Sequence, residues 1–113
     1  MKKTSSGFIP SIRSIMMDLP GVTEDSCYGT TAFYVSKNLL ARMKEDNKTL
    51  VVYTPDRDEW IVQDKLTFFT TDHYRNAPYV LVDLGRIKKK DLERVLSEAW
   101  KNRAAKKLLE AWK

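Results

Sequence analysis

The side chains best suited to acid–base chemistry lie in one polar segment between two apolar stretches. It holds the chain's one histidine, His73. Histidine titrates near neutral pH and transfers protons when a carboxylate orients its ring. The adjacent Asp72 need not orient it, and no nucleophile is near it in sequence. We therefore interpret the segment as a structural loop whose polar groups could instead hold a ligand. Those groups are Thr71, Asp72, His73, Tyr74, Arg75 and Asn76.

The one cysteine, Cys27, is the second reactive group to consider. A catalytic thiol needs a base such as histidine and a lowered pKa. The sequence does not show whether Cys27 and His73 meet, so a buried or edge-strand thiol is the simpler interpretation. One cysteine and one histidine also rule out a disulfide within the chain and are too few for a zinc site. The sequence predicts no catalytic residue, metal or cofactor, and thus a non-enzymatic protein.

Positive charge is concentrated in the last quarter of the chain. Residues 1–85 carry 10 basic and 11 acidic side chains, whereas residues 86–113 carry 10 basic and 4 acidic ones. Clustered cations bind the phosphates of nucleic acids with release of counterions. The alternative is an ordinary solvated helix, because Asp91, Glu93 and Glu98 interleave with the cations. The candidate phosphate contacts are Lys88, Lys89, Lys90, Arg94, Lys101, Lys106 and Lys107.

Length and composition predict one folded domain over residues 1–113, with residues 1–7 loose. The longest purely apolar runs are a few residues long, against roughly 20 for a membrane-spanning helix. Arg13 and Asp18 interrupt any signal-peptide core after Lys2 and Lys3. We therefore expect a cytoplasmic protein with a reduced thiol and no membrane partner. The oligomeric state is left open.

The spacing of apolar residues predicts the elements that must position these groups. Helices are predicted over 10–19, 55–63, 90–102 and 105–112, with Thr54 as the N-cap of the second and Pro55 at its first position. A break is predicted near Asn102–Arg103, because Arg103 would otherwise point into the apolar stripe. Strands are predicted over 30–35, 39–44, 49–53, 68–70 and 79–84. Short polar turns make neighbouring strands antiparallel. The order α-βββ-α-ββ-αα indicates a two-layer α+β domain, with helices packed on a five-stranded, mostly antiparallel sheet.

Four segments then form an ordered set. They are Leu19-Pro20-Gly21-Val22, Ser26 to Val35, Phe68 to Tyr74 with Ala77 to Val82, and Leu92 to Trp100 followed by Arg103-Ala104 and Lys107-Leu108. Over nearly the whole chain, this set resembles the MmcQ/YjbR-like proteins.

The resemblance implies a small two-layer α+β fold with five antiparallel strands and a non-enzymatic role. It also implies DNA binding through a double-wing arrangement, whose wings would be strand turns such as 37–38 or 45–48. It carries no catalytic residues with it. We therefore expect weak, non-specific DNA binding, directed mainly at phosphates. The alternative is a small-ligand or protein-partner module that uses loop 70–78.

Overall fold

A computed structural model describes residues 7–27 and 29–112 of the chain. Residues 1–6, which belong to the start predicted to be loose, and Tyr28, which belongs to the second family-like segment, lie outside the described residues.

The described part of the chain contains four α-helices and six strands. The helices are α1 (Ile9–Met16), α2 (Arg57–Gln63), α3 (Lys89–Arg103) and α4 (Lys106–Trp112). The strands are β1 (Val22–Cys27), β2 (Thr30–Val35), β3 (Asn38–Met43), β4 (Thr49–Tyr53), β5 (Phe68–Phe69) and β6 (Tyr79–Asp83). A short 3-10 helix, Asp72–Tyr74, lies in the loop between β5 and β6.

The strands form one sheet in the order β1-β2-β3-β4-β6-β5, and every neighbouring pair is antiparallel. Helices pack against this sheet, so the predicted α+β class is confirmed. The prediction of five strands was one short, since β1 was missed. Four consecutive residues of β1, Thr23–Ser26, are exposed. An edge strand with this polar sequence lacks the alternation of apolar residues that marks a half-buried strand.

The core lies between the sheet and the helices. The predicted apolar stripe of α3, which runs from Leu92 to Trp100, is buried, and α1 adds Ile12 and Met16. On the sheet side, core residues include Val52 of β4 and its partner Val80 of β6. Burying each large apolar side chain contributes about 1.5–3 kcal/mol. This shared core fixes α3, and with it four of the residues predicted to bind phosphate, Lys89, Lys90, Arg94 and Lys101.

The turn after α1 contacts both C-terminal helices. The indole N–H of Trp100 donates a hydrogen bond of 2.8 Å to the backbone carbonyl of Pro20. Gly21 follows with a φ of +74°. A Cβ at Gly21 would lie 2.8 Å from Cδ1 of Leu108 on α4. The Leu-Pro-Gly segment therefore serves as a docking point for the two C-terminal helices.

Predicted boundaries move by one to three residues, and α1 ends at Met16 rather than at residue 19. Helix α3 continues to Arg103, so the break falls at 104–105, where Ala104 has an extended backbone. Helix α2 begins at Arg57 with Asp56 before it, whereas Thr54 had been predicted as the cap. The Thr54 hydroxyl instead accepts a hydrogen bond of 3.1 Å from the Asp56 N–H, which shapes the preceding turn.

The turn between β2 and β3 comes one residue earlier than predicted. Ser36 and Lys37 have φ values of 50° and 69°, and β3 begins at Asn38. Two consecutive residues with positive φ are typical of the tight hairpin turns that match strand twist.

No helix among residues 7–27 and 29–112 has the length and apolar character to cross a membrane.

Candidate functional site

All seven predicted phosphate contacts are exposed, but they do not share one surface. Lys89 and Lys90 are consecutive helical residues and so point about 100° apart, whereas Lys88 precedes the helix with an extended backbone. Lys88 lines a cleft beside the end of α2, together with Asp64. Lys89 lines a groove between α1 and α3, together with Ser14. The predicted cluster is therefore divided around the start of α3.

Lys90, Arg94 and Lys101 do share one side of α3, because the helix is uninterrupted from Lys89 to Arg103. Arg94 and Lys101 line a cleft of about 340 Å³ between α2 and α3. This cleft also contains carboxylates, which makes its charge mixed. They are Asp56, Glu59 and Glu98.

Arg94 contacts three side chains of its own protein. Its guanidinium lies 4.9 Å from the ring centre of Trp60 on α2. Its two terminal nitrogens lie 3.9 Å from Asp91 Oδ1 and 3.9 Å from Glu98 Oε2. These carboxylates offset the positive charge that a phosphate would meet. The sequence could not show this, because Trp60 comes from a different helix.

Five lysines of the predicted set differ from Arg94 in this respect. Within residues 7–27 and 29–112, none of the five forms an ion pair. They are Lys88, Lys89, Lys90, Lys106 and Lys107. An exposed lysine without a carboxylate partner keeps its full charge available to an external anion.

The loop predicted as an alternative ligand site is held by Arg57 at the start of α2. Its Nη1 donates to the carbonyls of Tyr74 and Ala77 at 2.8 and 2.9 Å, and its Nη2 donates to that of Arg75 at 2.9 Å. Hydrogen bonds from a charged donor are stronger than neutral ones. Reasoning from the sequence missed Arg57, because nothing in its local pattern connects it to a loop 17–20 residues away.

Aromatic rings run in a row from this loop onto the sheet. His73 lies 4.8 Å from Tyr74, Tyr74 lies 6.1 Å from Tyr79, and Tyr79 lies 5.9 Å from Tyr53, measured between ring centres. Tyr53 and Tyr79 are direct partners on β4 and β6. All three ring pairs are edge-to-face. We call these four residues the aromatic row.

Two cations contact the aromatic row. The guanidinium of Arg103 lies 3.7 Å from the ring centre of Tyr53. Farther along the row, Nζ of Lys44 lies 5.9 Å from the ring centre of Tyr74. The sequence predicted a helix break near Asn102–Arg103 that would keep Arg103 out of the apolar stripe; α3 instead continues through Arg103, which meets a tyrosine of the sheet.

The remaining loop side chains face solvent. Arg75 donates to Asp72 at 2.6 Å, and Thr71 and Asn76 are exposed. Arg75 and Asn76 also line a cavity of about 540 Å³ between the loop and the start of α2.

Cys27 lies at the end of β1, beside Tyr34 of β2. Burial raises the pKa of the Tyr34 phenol, as do its hydrogen bond with Cys27 and the nearby Asp25 carboxylate, while Arg42 opposes the shift. In the part of the chain that the structure describes, no hydrogen bond joins Cys27 to His73. Nor is any group of three His, Cys, Asp or Glu side chains among those residues placed to hold a metal ion.

Comparison with known proteins finds uncharacterised relatives and a solved structure with the same fold. No family model matches the chain. Uncharacterised proteins of Mycobacterium bovis and Mycobacterium tuberculosis are 40% identical to it over 52 residues, which is 46% of this chain. The match spans 40% of the length of those curated relatives.

A crystal structure of a Deinococcus radiodurans protein with a DUF419 domain has the same fold. Its TM-score is 0.71, and the match covers 92% of this chain and 86% of that one at 19% identity.

Proposed function

We propose that this chain is a non-enzymatic, cytoplasmic protein of the MmcQ/YjbR-like family that binds nucleic acid weakly through its phosphates. The four ordered sequence segments support the family, and so does the likeness to a DUF419 fold, since DUF419 belongs to the MmcQ/YjbR-like superfamily.

The observation that carries the binding proposal is the set of lysines without ion pairs around α3 and α4. Residues 86–113 hold six more basic than acidic side chains. The described lysines Lys88, Lys89, Lys90, Lys106 and Lys107 form no ion pair with the described part of their own protein. Each lysine that meets a phosphate lowers the slope of log K against log salt by about 0.9 for duplex DNA.

The helices support this role better than the strand turns do. The turn between β3 and β4 carries Glu45 and Asp46 beside Lys48. Asp46 is used internally, since it accepts hydrogen bonds from the N–H groups of Lys48 and Thr49 and from the Thr49 hydroxyl. Such a turn presents mixed charge to DNA. We therefore assign the phosphate contacts to α3 and α4 rather than to a pair of wings.

Fluorescence anisotropy with a labelled mixed-sequence duplex tests the proposal, at about 50 and 200 mM salt. We expect binding that weakens steeply as salt rises. A variant with Lys90→Glu, Lys106→Glu and Lys107→Glu should lose most of this affinity.

The matched control makes the same change in net charge at the exposed residues Lys37, Lys48 and Lys65. Two of these lie in the strand turns, so the control also tests the wings. A larger loss in the control than in the helix variant would assign the contacts to the turns. Absence of binding at about 50 mM salt, where screening is weak, would refute phosphate binding altogether.

A second candidate function is a small-ligand or protein-partner module at loop 70–78. It is favoured by the three hydrogen bonds from Arg57, which fix the loop backbone, and by the cavity of about 540 Å³ beside Arg75 and Asn76. A ligand found by thermal-shift screening should lose its effect in an Arg75→Ala, Asn76→Ala variant. An unchanged shift would exclude this site.

A further inference from the structure

We propose that the aromatic row binds unpaired bases, so that the chain prefers single-stranded nucleic acid to a duplex. This inference rests on the proposed function, because it names the form of nucleic acid that the lysines attract and adds a second contact surface to them.

Four aromatic rings lie next to one another along a single path, packed edge-to-face. From Tyr53 through Tyr79 and Tyr74 to His73, successive ring centres are 5.9, 6.1 and 4.8 Å apart. The three tyrosines keep part of their surface in solvent, and His73 is exposed. Proteins that bind single strands without sequence preference place such rings beside positive charge, because every base has a face that stacks.

Arg103 supplies charge that the described protein does not compensate. No carboxylate among residues 7–27 and 29–112 forms an ion pair with it. Its Nε is buried without a hydrogen-bond partner, which is uncommon for a buried polar atom. The Arg103 guanidinium lies 3.7 Å from the ring centre of Tyr53, so it brings positive charge to this end of the aromatic row.

Two features join the aromatic row to the rest of the molecule. Arg103 is the last residue of α3, so it lies within four residues of Lys106 and Lys107 at the start of α4. A strand bound along the lysines would reach the row at this point. At the other end, Arg57 fixes the backbone beneath Tyr74, which lowers the cost of ordering the loop on binding.

Single strands fit the row better than a duplex does. Bases in a duplex are stacked on each other, whereas unpaired bases can turn their faces to aromatic side chains. A protein partner is the competing occupant, and its binding would not depend on an oligonucleotide.

The test compares a labelled oligothymidine of about 12 nucleotides with a duplex of the same length, both at about 50 mM salt. We expect the single strand to bind about tenfold more tightly. Tyr74→Leu should weaken the single strand about tenfold and leave the duplex unchanged, whereas Tyr74→Phe keeps the ring and should keep the affinity. His73→Ala, at an exposed position, is the second variant and should weaken the single strand a few-fold without unfolding the protein.

The outcomes separate this inference from the proposed function. If both probes bind equally and neither Tyr74→Leu nor His73→Ala weakens the single strand, the aromatic row is not a base site and the lysine contacts stand. If neither probe binds at about 50 mM salt, both proposals fail. Tyr74→Leu could also weaken duplex binding as much as single-strand binding, with the melting temperature of the protein variant unchanged. In that case the aromatic row is a general contact and the preference for single strands is wrong.

Discussion

Gly21 is the residue at which the turn after α1 meets α4. Its φ of +74° is in the left-handed region, and a Cβ there would lie 2.8 Å from Leu108 Cδ1. Gly21→Ala should therefore lower the free energy of unfolding by about 2–3 kcal/mol, from backbone strain together with the displacement of α4. Urea unfolding followed by Trp fluorescence measures the change.

Gly29 is the matched control for this prediction. Its φ is +79°, but a Cβ there would meet nothing within 4 Å. Gly29→Ala should cost only the strain of the left-handed backbone, about 1–2 kcal/mol. Equal losses in the two variants would show that the contact with Leu108 does not limit the position of α4.

Single residues also show which contacts a sequence cannot predict. The lysines of α3 could be named because helical spacing fixes which of them share a side. The engagement of Arg94 could not be foreseen, since its partner Trp60 lies on another helix. Arg57 and Arg103 were missed as site residues for the same reason. Their partners are backbone carbonyls and a tyrosine distant in sequence, and no local pattern predicts such contacts.

Loop 70–78 depends on α2 for its shape. Arg57→Met removes three charge-assisted hydrogen bonds to the carbonyls of Tyr74, Arg75 and Ala77. We expect a loss of about 2 kcal/mol in unfolding free energy and faster amide exchange across the loop. Hydrogen–deuterium exchange of the N–H groups of Ala77 and Tyr79, which are bonded within this segment, reports the change directly.

Arg75→Met is the control for the loop. It removes the ion pair with Asp72, whose two side chains are 69% and 93% exposed. Exposed pairs contribute little, so this variant should change unfolding by less than about 0.5 kcal/mol. If both variants exchange at the wild-type rate, the loop is held by its own turns and not by Arg57.

At the scale of elements, the helices and strands that the sequence predicted are those with buried apolar side chains. Helix α3 was predicted because its stripe must face the core, and β3, β4 and β6 because their apolar residues pack against the helices. Strand β1 was missed because edge pairing with β2 holds it, and this leaves only Val22 fully buried. Backbone hydrogen bonds form irrespective of side-chain type, so they leave no pattern in the sequence.

Across the whole molecule, three carboxylates hold local structure through hydrogen bonds: Glu24 joins β1 to α1, and Asp46 and Asp64 each hold a turn of their own segment. The hydrogen bond from Arg13 of α1 lowers the pKa of Glu24 on the edge strand. The Thr67 hydroxyl lowers the pKa of Asp64, which closes the loop before β5. Burial alone would raise the pKa of Asp46, but hydrogen bonds from the backbone and side chain after it lower the pKa overall.

These pKa shifts set the direction in which the unfolding free energy changes with pH. A carboxylate whose folded pKa is lowered stabilises the fold above its unfolded pKa of about 4, and the benefit disappears as pH falls through the folded value. We expect the unfolding free energy to be flat near neutral pH and to fall below about pH 4. Urea titrations near pH 7, 5 and 3 test this.

Asp46→Ala isolates one of the three carboxylates. Near neutral pH it should lower the unfolding free energy by about 1 kcal/mol, because three hydrogen bonds to the turn are lost. Near about pH 3 the gap to the wild type should narrow, since protonation weakens the same bonds in the wild type. Glu93→Ala, at an exposed position on α3, controls for loss of a negative charge and should change stability little. A gap for Asp46→Ala that widens as the pH falls would show that the turn is not held by the ionised carboxylate.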